Sequence, residues 1–174
     1  MKILLSLFII LFVSSSIYAQ KIDFDKKLKD LNIELIAPTK PVANYVKAVR
    51  SGNLLFLSGH GPSKPDGTSI TGKVGKDLSV EEGYAAARQT GISILSTIKN
   101  EIGDLNKVKR IVKVLGMVNC TSDFTDQPKV INGFSDLMVE VFGEKGKHAR
   151  SAVGMNALPS GITVEIEIVV ELID

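Results

Sequence analysis

The C-terminal stretch Ile162 to Leu172 alternates without a break. Ile162, Val164, Ile166, Ile168, Val170 and Leu172 face one way, and Thr163, Glu165, Glu167, Val169 and Glu171 face the other. A two-residue period belongs to a β-strand, because successive side chains leave the backbone on opposite sides. One face must therefore meet a hydrophobic layer. The second face mixes Val169 with glutamates, a pattern that points to cover by another copy of the chain.

The elements upstream supply that layer. Asp23 to Leu31 places Phe24, Leu28 and Leu31 at helical spacing, which predicts a short amphipathic helix. Pro38 and Pro41 then hold the chain extended. Tyr45 to Arg50 and Leu54 to Ser58 flank Ser51-Gly52-Asn53, a β-hairpin pattern. Gly61 to Leu78 is punctuated by Pro62, Pro65, Asp66-Gly67, Gly72 and Gly75, which predicts a loop. Ser79 with Glu82 forms a capping box, opening a helix through Tyr84, Ala87, Ile92, Leu95 and Ile98 that ends near Gly103. Val108, Val112, Val114 and Val118 are expected on one face of a strand. Asp126 and Pro128 open a second long helix, carried by Val130, Phe134, Leu137, Met138 and Val141 and stopped at Gly143. Ala149 to Met155 and Ile162 to Leu172 complete the set. The fold class is α+β: a single mixed β-sheet with two helices packed on one face.

Residues 1–19 carry a leader pattern. Lys2 precedes an apolar run from Ile3 to Val13, and a small-residue end closes at Ala19. This predicts a secretory signal peptide cut after Ala19, with the product exported to the periplasm or secreted and not membrane-bound after cleavage. The apolar run is shorter than the ~20 residues that span a bilayer. Residues 20–43 read as an N-terminal extension with the short helix, and 44–174 as the main domain.

The formal net charge of +2 gives little field for phosphate neutralisation, so no nucleic-acid partner is expected. One cysteine, Cys120, excludes an internal disulfide and reads as a buried structural thiol. His60 and His148, without paired Cys/His spacing, argue against a metal site. Gly67 to Lys73 approaches a phosphate-binding loop, but Val74 stands where Ser or Thr would hold magnesium; a surface loop is expected.

Arg150 lies in the small-residue run His148-Ala149-Arg150-Ser151-Ala152-Val153-Gly154, with Ala152 and Gly154 on its side of the strand. A guanidinium is a planar fork suited to a carboxylate. Glu165, beyond Leu158-Pro159-Ser160-Gly161, can orient water. From the residues alone, both also fit solvated strand positions.

From Asn44 to Leu172 the chain resembles the RidA (YjgF-type) family of reactive-intermediate deaminases. The resemblance rests on Tyr45 with its hairpin, Asn53-Leu54-Leu55-Phe56-Leu57-Ser58-Gly59, Asn132, Ala149-Arg150-Ser151, Leu158-Pro159 and Val164-Glu165-Ile166-Glu167. It implies a chorismate-mutase-like fold, a homotrimer with pockets between subunits, and no cofactor or metal. It assigns substrate-carboxylate binding to Arg150 and the water-associated role to Glu165. Tyr45, Ser58, Gly59 and Asn132 would form the pocket, with the Ala152 backbone N–H as a further donor. The implied reaction is hydrolysis of small 2-imino or enamine acids to 2-keto acids and ammonia. A trimer that only binds small carboxylates, or acts as a stress-protective protein, is the alternative; an endoribonuclease ranks last, for want of charge and of a Lys/His cluster. The chain departs from the family pattern at Ala43-Asn44 (usually Gly-Pro), at His60 (usually Gln) and at Ala152 (frequently Cys).

Overall fold

The computed structural model describes residues 22–38 and 43–173. The expected leader, its cleavage point and Pro41 lie outside the described residues. The elements are α1 (Phe24–Asp30), β1 (Ala48–Ser51), β2 (Leu54–His60), α2 (Val80–Ile102), β3 (Val108–Asn119), α3 (Gln127–Phe142), β4 (Ala149–Met155) and β5 (Val164–Leu172), with three short 3-10 turns. The sheet order is β1-β2-β5-β3-β4. Only β3 and β4, joined through α3, run parallel; the other pairs are antiparallel. This is the single mixed sheet that the sequence predicts.

Helices α2 and α3 cover one sheet face. Both ends of α2 follow from its sequence: the Ser79–Glu82 capping box is formed in both directions, and Gly103 closes the last turn at φ 77°. The two-helix layer needs a correction, because α1 is a third packed helix. Its Phe24 ring meets Phe142 at 5.5 Å between centroids, and Phe24 and Leu28 are buried in the common core. A seven-residue helix does not hold in water alone; burial of those two side chains, with Asp23 capping Lys26 N–H, holds it here.

The final strand buries Val164, Ile166, Ile168, Val170 and Leu172 against the helices. It begins at Val164, with Ile162 drawn into a bridge with Thr71. Strand β1 starts at Ala48, so Tyr45 lies just before it. In β3, register shifts between Val108 and Arg110 and between Ile111 and Lys113 rotate the backbone. Ile111 takes the core position expected of Val112, while Val108, Val114 and Val118 are buried as expected. A bulge inserts a residue and reverses strand parity beyond it.

The Gly61–Leu78 segment is loop, and it is pinned rather than free. Val74 is fully buried and bonds across to Asn119 and Thr121. Lys73 donates from Nζ to Asn119 Oδ1 at 2.9 Å, to Cys120 O at 3.3 Å and to Asn156 O at 2.5 Å. The amides of Gly72, Val74 and Gly75 already bond to Gly161, Asn119 and Leu78 carbonyls, which leaves no nest for a phosphate. Cys120 is buried, with the Gln127 amide donating to its sulfur.

Candidate functional site

Arg150 sits on edge strand β4 opposite Val114 of β3. It therefore faces the helix side, as do Ala152 opposite Gly116 and Gly154 opposite Val118. Its Nη1 donates to Asn132 Oδ1 at 2.9 Å and to Ser135 Oγ at 2.9 Å. Nη2 makes only a 3.5 Å approach to the Pro128 carbonyl. Asn132 and Ser135 are one turn apart on α3, so one helix face holds one end of the fork. Both Nη1 protons are consumed. The Nε–Nη2 edge carries two parallel donors with no strong partner among the described residues, which is the geometry a carboxylate accepts.

Glu165 sits opposite Met117, on the sheet face away from the helices. Its carboxylate has no hydrogen bond or ion pair among the described residues. It is half-buried, and that burial, reinforced by the nearby Glu167 charge, raises its pKa. Gly59 makes room for it: a Cβ at Gly59 would overlap the Glu165 carboxylate. The register shift between Leu57 and His60 in β2 is a bulge that turns Gly59 onto Glu165 and His60 inward. Ser58, half-buried beside Gly59, is tied to the Lys47 carbonyl. Tyr45 is exposed.

The predicted residues thus fall into two groups. Arg150, Asn132 and Ala152 gather at the β4 edge; Glu165, Gly59 and Ser58 gather on the open sheet face. One chain does not join them, since β3 lies between β4 and β5 and the two key side chains leave opposite faces. Ser135 and His148 join the β4-edge group as well, beyond the residues that the sequence pattern singles out. The signal is there: Ser135 follows Asn132 by three residues on a helix, and His148 precedes Arg150 by two, just ahead of β4. Among the described residues, no three His, Cys, Asp or Glu side chains gather to hold a metal.

A family model described as "YjgF/chorismate_mutase-like, putative endoribonuclease" matches residues 25–172. The chain belongs to the YjgF/RidA family. Protein TCP17 of Trypanosoma cruzi is 46% identical over 146 residues, covering 83% of this chain and 91% of that protein. The crystal structure of Atu1372 from Agrobacterium tumefaciens, a protein of unknown function, superposes with a TM-score of 0.80 at 41% identity, covering 86% of this chain and 94% of that one. RidA from Psychrobacter sp. PAMC 21119 superposes with a TM-score of 0.55 at 27% identity, over 78% of this chain and 94% of that one. The fold is therefore the RidA-type, chorismate-mutase-like one.

His60, the departure from the RidA pattern nearest to Gly59, is buried. Its Nδ1 lies 2.6 Å from the Ser58 carbonyl and its Nε2 2.9 Å from Thr97 Oγ1 on α2. A carbonyl only accepts, so Nδ1 carries the proton and Nε2 accepts from Thr97. Burial is the main cause that lowers its pKa to about 4. The folded value lies below that of an unfolded histidine near 6.5, so the unfolded chain binds the extra proton between them. Stability is complete above about pH 6.5 and falls towards pH 4, by about 3 kcal/mol from this group. Urea unfolding across that range is expected to give a steeper loss for wild type than for His60→Gln; parallel curves would refute it.

Proposed function

We propose that the protein is a homotrimer that hydrolyses small 2-imino acids, or their enamine tautomers, to 2-keto acids and ammonia in clefts between chains. The observation that carries this reading is the separation of an open guanidinium edge at Arg150 from an unpaired carboxylate at Glu165, on opposite faces of one sheet. A neighbouring chain laid on the open face brings one group to the other. That face offers Val49, Phe56, Val153 and Met155 to solvent, an apolar patch suited to burial between subunits.

In the cleft, Arg150 grips the substrate carboxylate through Nε and Nη2. Glu165 accepts a proton from water as its oxygen adds to the imine carbon. That proton passes to the imine nitrogen to give a carbinolamine. Glu165 then takes the new hydroxyl's proton and delivers it to the same nitrogen, so that both water protons leave with it as ammonia while the C=O forms. A carboxylate with a raised pKa suits both transfers. The imine carbon is already electrophilic, so positioning supplies much of the acceleration. Capture without turnover is the second reading. It is favoured by the Arg150 end being complete within one chain while Glu165 needs another.

Light scattering on the purified protein is expected to give a trimer, and imine generated in situ is expected to decay faster with protein than in buffer. Glu165→Gln should keep carboxylate binding and lose turnover by about a hundredfold or more, since an amide holds water but does not take its proton. Wild-type decay at the buffer rate for several amino-acid-derived imines leaves only the binding reading.

A further inference from the structure

Arg150 is tied to a second histidine by way of Ser135. His148 Nδ1 lies 2.7 Å from the Gly146 carbonyl and its Nε2 3.1 Å from Ser135 Oγ. The ring packs edge-on against Phe134 at 5.8 Å. Because the Gly146 carbonyl only accepts, Nδ1 must hold a proton, and in the neutral ring Nε2 is left with its lone pair. Ser135 then donates its hydroxyl proton to His148 and keeps its oxygen lone pairs for Arg150 Nη1. Every donor in this chain points the same way, from Arg150 to Ser135 to His148 to Gly146. Burial, partly countered by the Gly146 bond, lowers the His148 pKa, and the Arg150 charge lowers it further; the neutral ring is the favoured one. An open cleft of about 330 Å³ lined by Ser135, Val139, Lys147, His148 and Arg150 lies beside the relay.

We propose that His148 is a positioning residue, fixing the Ser135 hydroxyl so that it locks one end of the Arg150 guanidinium and turns the Nε–Nη2 edge outward to a carboxylate. The inference rests on the carboxylate-binding reading of Arg150. Without the lone pair at Nε2, the Ser135 hydroxyl turns freely, Nη1 keeps only Asn132 as a firm partner, and the fork loses its fixed aim. A misaligned fork offers one hydrogen bond where it offered two.

The test is pyruvate binding by calorimetry, together with the NMR signal of the Arg150 Nε–H in arginine-labelled protein. Ser135→Ala and His148→Phe should each weaken pyruvate binding about tenfold and broaden the Arg150 signal. His148→Phe keeps the ring against Phe134, and Ser135→Ala leaves the Gly146 bond intact, so the pair guards against a folding defect in either. His148→Gln, which restores an acceptor near the Nε2 position, should recover both readouts. Wild type that binds pyruvate while the variants bind equally well, with an unchanged Arg150 signal, overturns the positioning role alone. Wild type that fails to bind pyruvate overturns the carboxylate reading, and the proposal with it.

Discussion

Arg150→Ala is expected to abolish carboxylate binding and imine turnover while the fold and assembly persist. Two charge-assisted hydrogen bonds to a ligand in a partly dry cleft are together worth on the order of 3 kcal/mol or more, a loss of at least about a hundredfold in affinity. Arg150→Lys should fall almost as far. Asn132 and Ser135 hold Nη1 of a planar group, and an ammonium that satisfies them has no second prong left for the ligand. The fold should tolerate both changes. Arg150 is half-buried on an edge strand, and its partners Asn132 and Ser135 both reach solvent or other groups. The measurements are kcat/KM on imine generated in situ, pyruvate affinity and thermal melting, made on the same preparations. A wild-type rate untouched by Arg150→Ala would move the chemistry away from this cleft.

The parts of the fold that were legible in sequence are those where a local pattern and a tertiary need coincide. Strand β5 alternates because its two faces meet different surroundings, and α2 announces both of its ends through Ser79, Glu82 and Gly103. The bulges in β3 were illegible, because Ile111 and Val112 are equally apolar and β-branched and no residue type marks the shift in parity. The docking of α1 was illegible for another reason: Phe24 finds its partner in Phe142, which lies at the far end of α3 in a different part of the chain. The site divides in the same way. Arg150 and Glu165 stand out by residue type in their own strands. Their placement on opposite faces depends on the pairing of β4 and β5 through β3, which neither strand encodes alone. Ser135 went unseen because a helical serine near solvent looks unremarkable until a guanidinium and an imidazole meet at its oxygen.

Gly133→Ala is expected to destabilise the protein by about 3 kcal/mol, against the ordinary preference of helices for alanine. Gly133 lies where α3 crosses α2 with no side chain between the backbones. A Cβ there would overlap the Tyr84 carbonyl oxygen, sit 2.9 Å from its carbon and press on the Arg88 nitrogen at 3.2 Å. Backbone atoms inside a helix do not swing aside, so the two helices must separate. Separation strains the links that span the crossing, Tyr84 Oη to Asp136 at 2.9 Å and the two-pronged Arg88 to Glu140 contact at 3.1 and 2.7 Å. Gly91→Ala is the control: its Cβ would press on the Leu137 Cδ2 methyl at 2.7 Å, a side-chain end that can rotate, so its cost should be smaller. Urea unfolding of both variants gives the comparison. A Gly133→Ala protein as stable as wild type would mean that the helices yield without cost. The change also reaches the candidate site, since Asn132 precedes Gly133 and Ser135 lies two residues beyond it. Moving α3 off α2 shifts both partners of Nη1, so pyruvate affinity should fall in the folded variant, at temperatures well below its melting point.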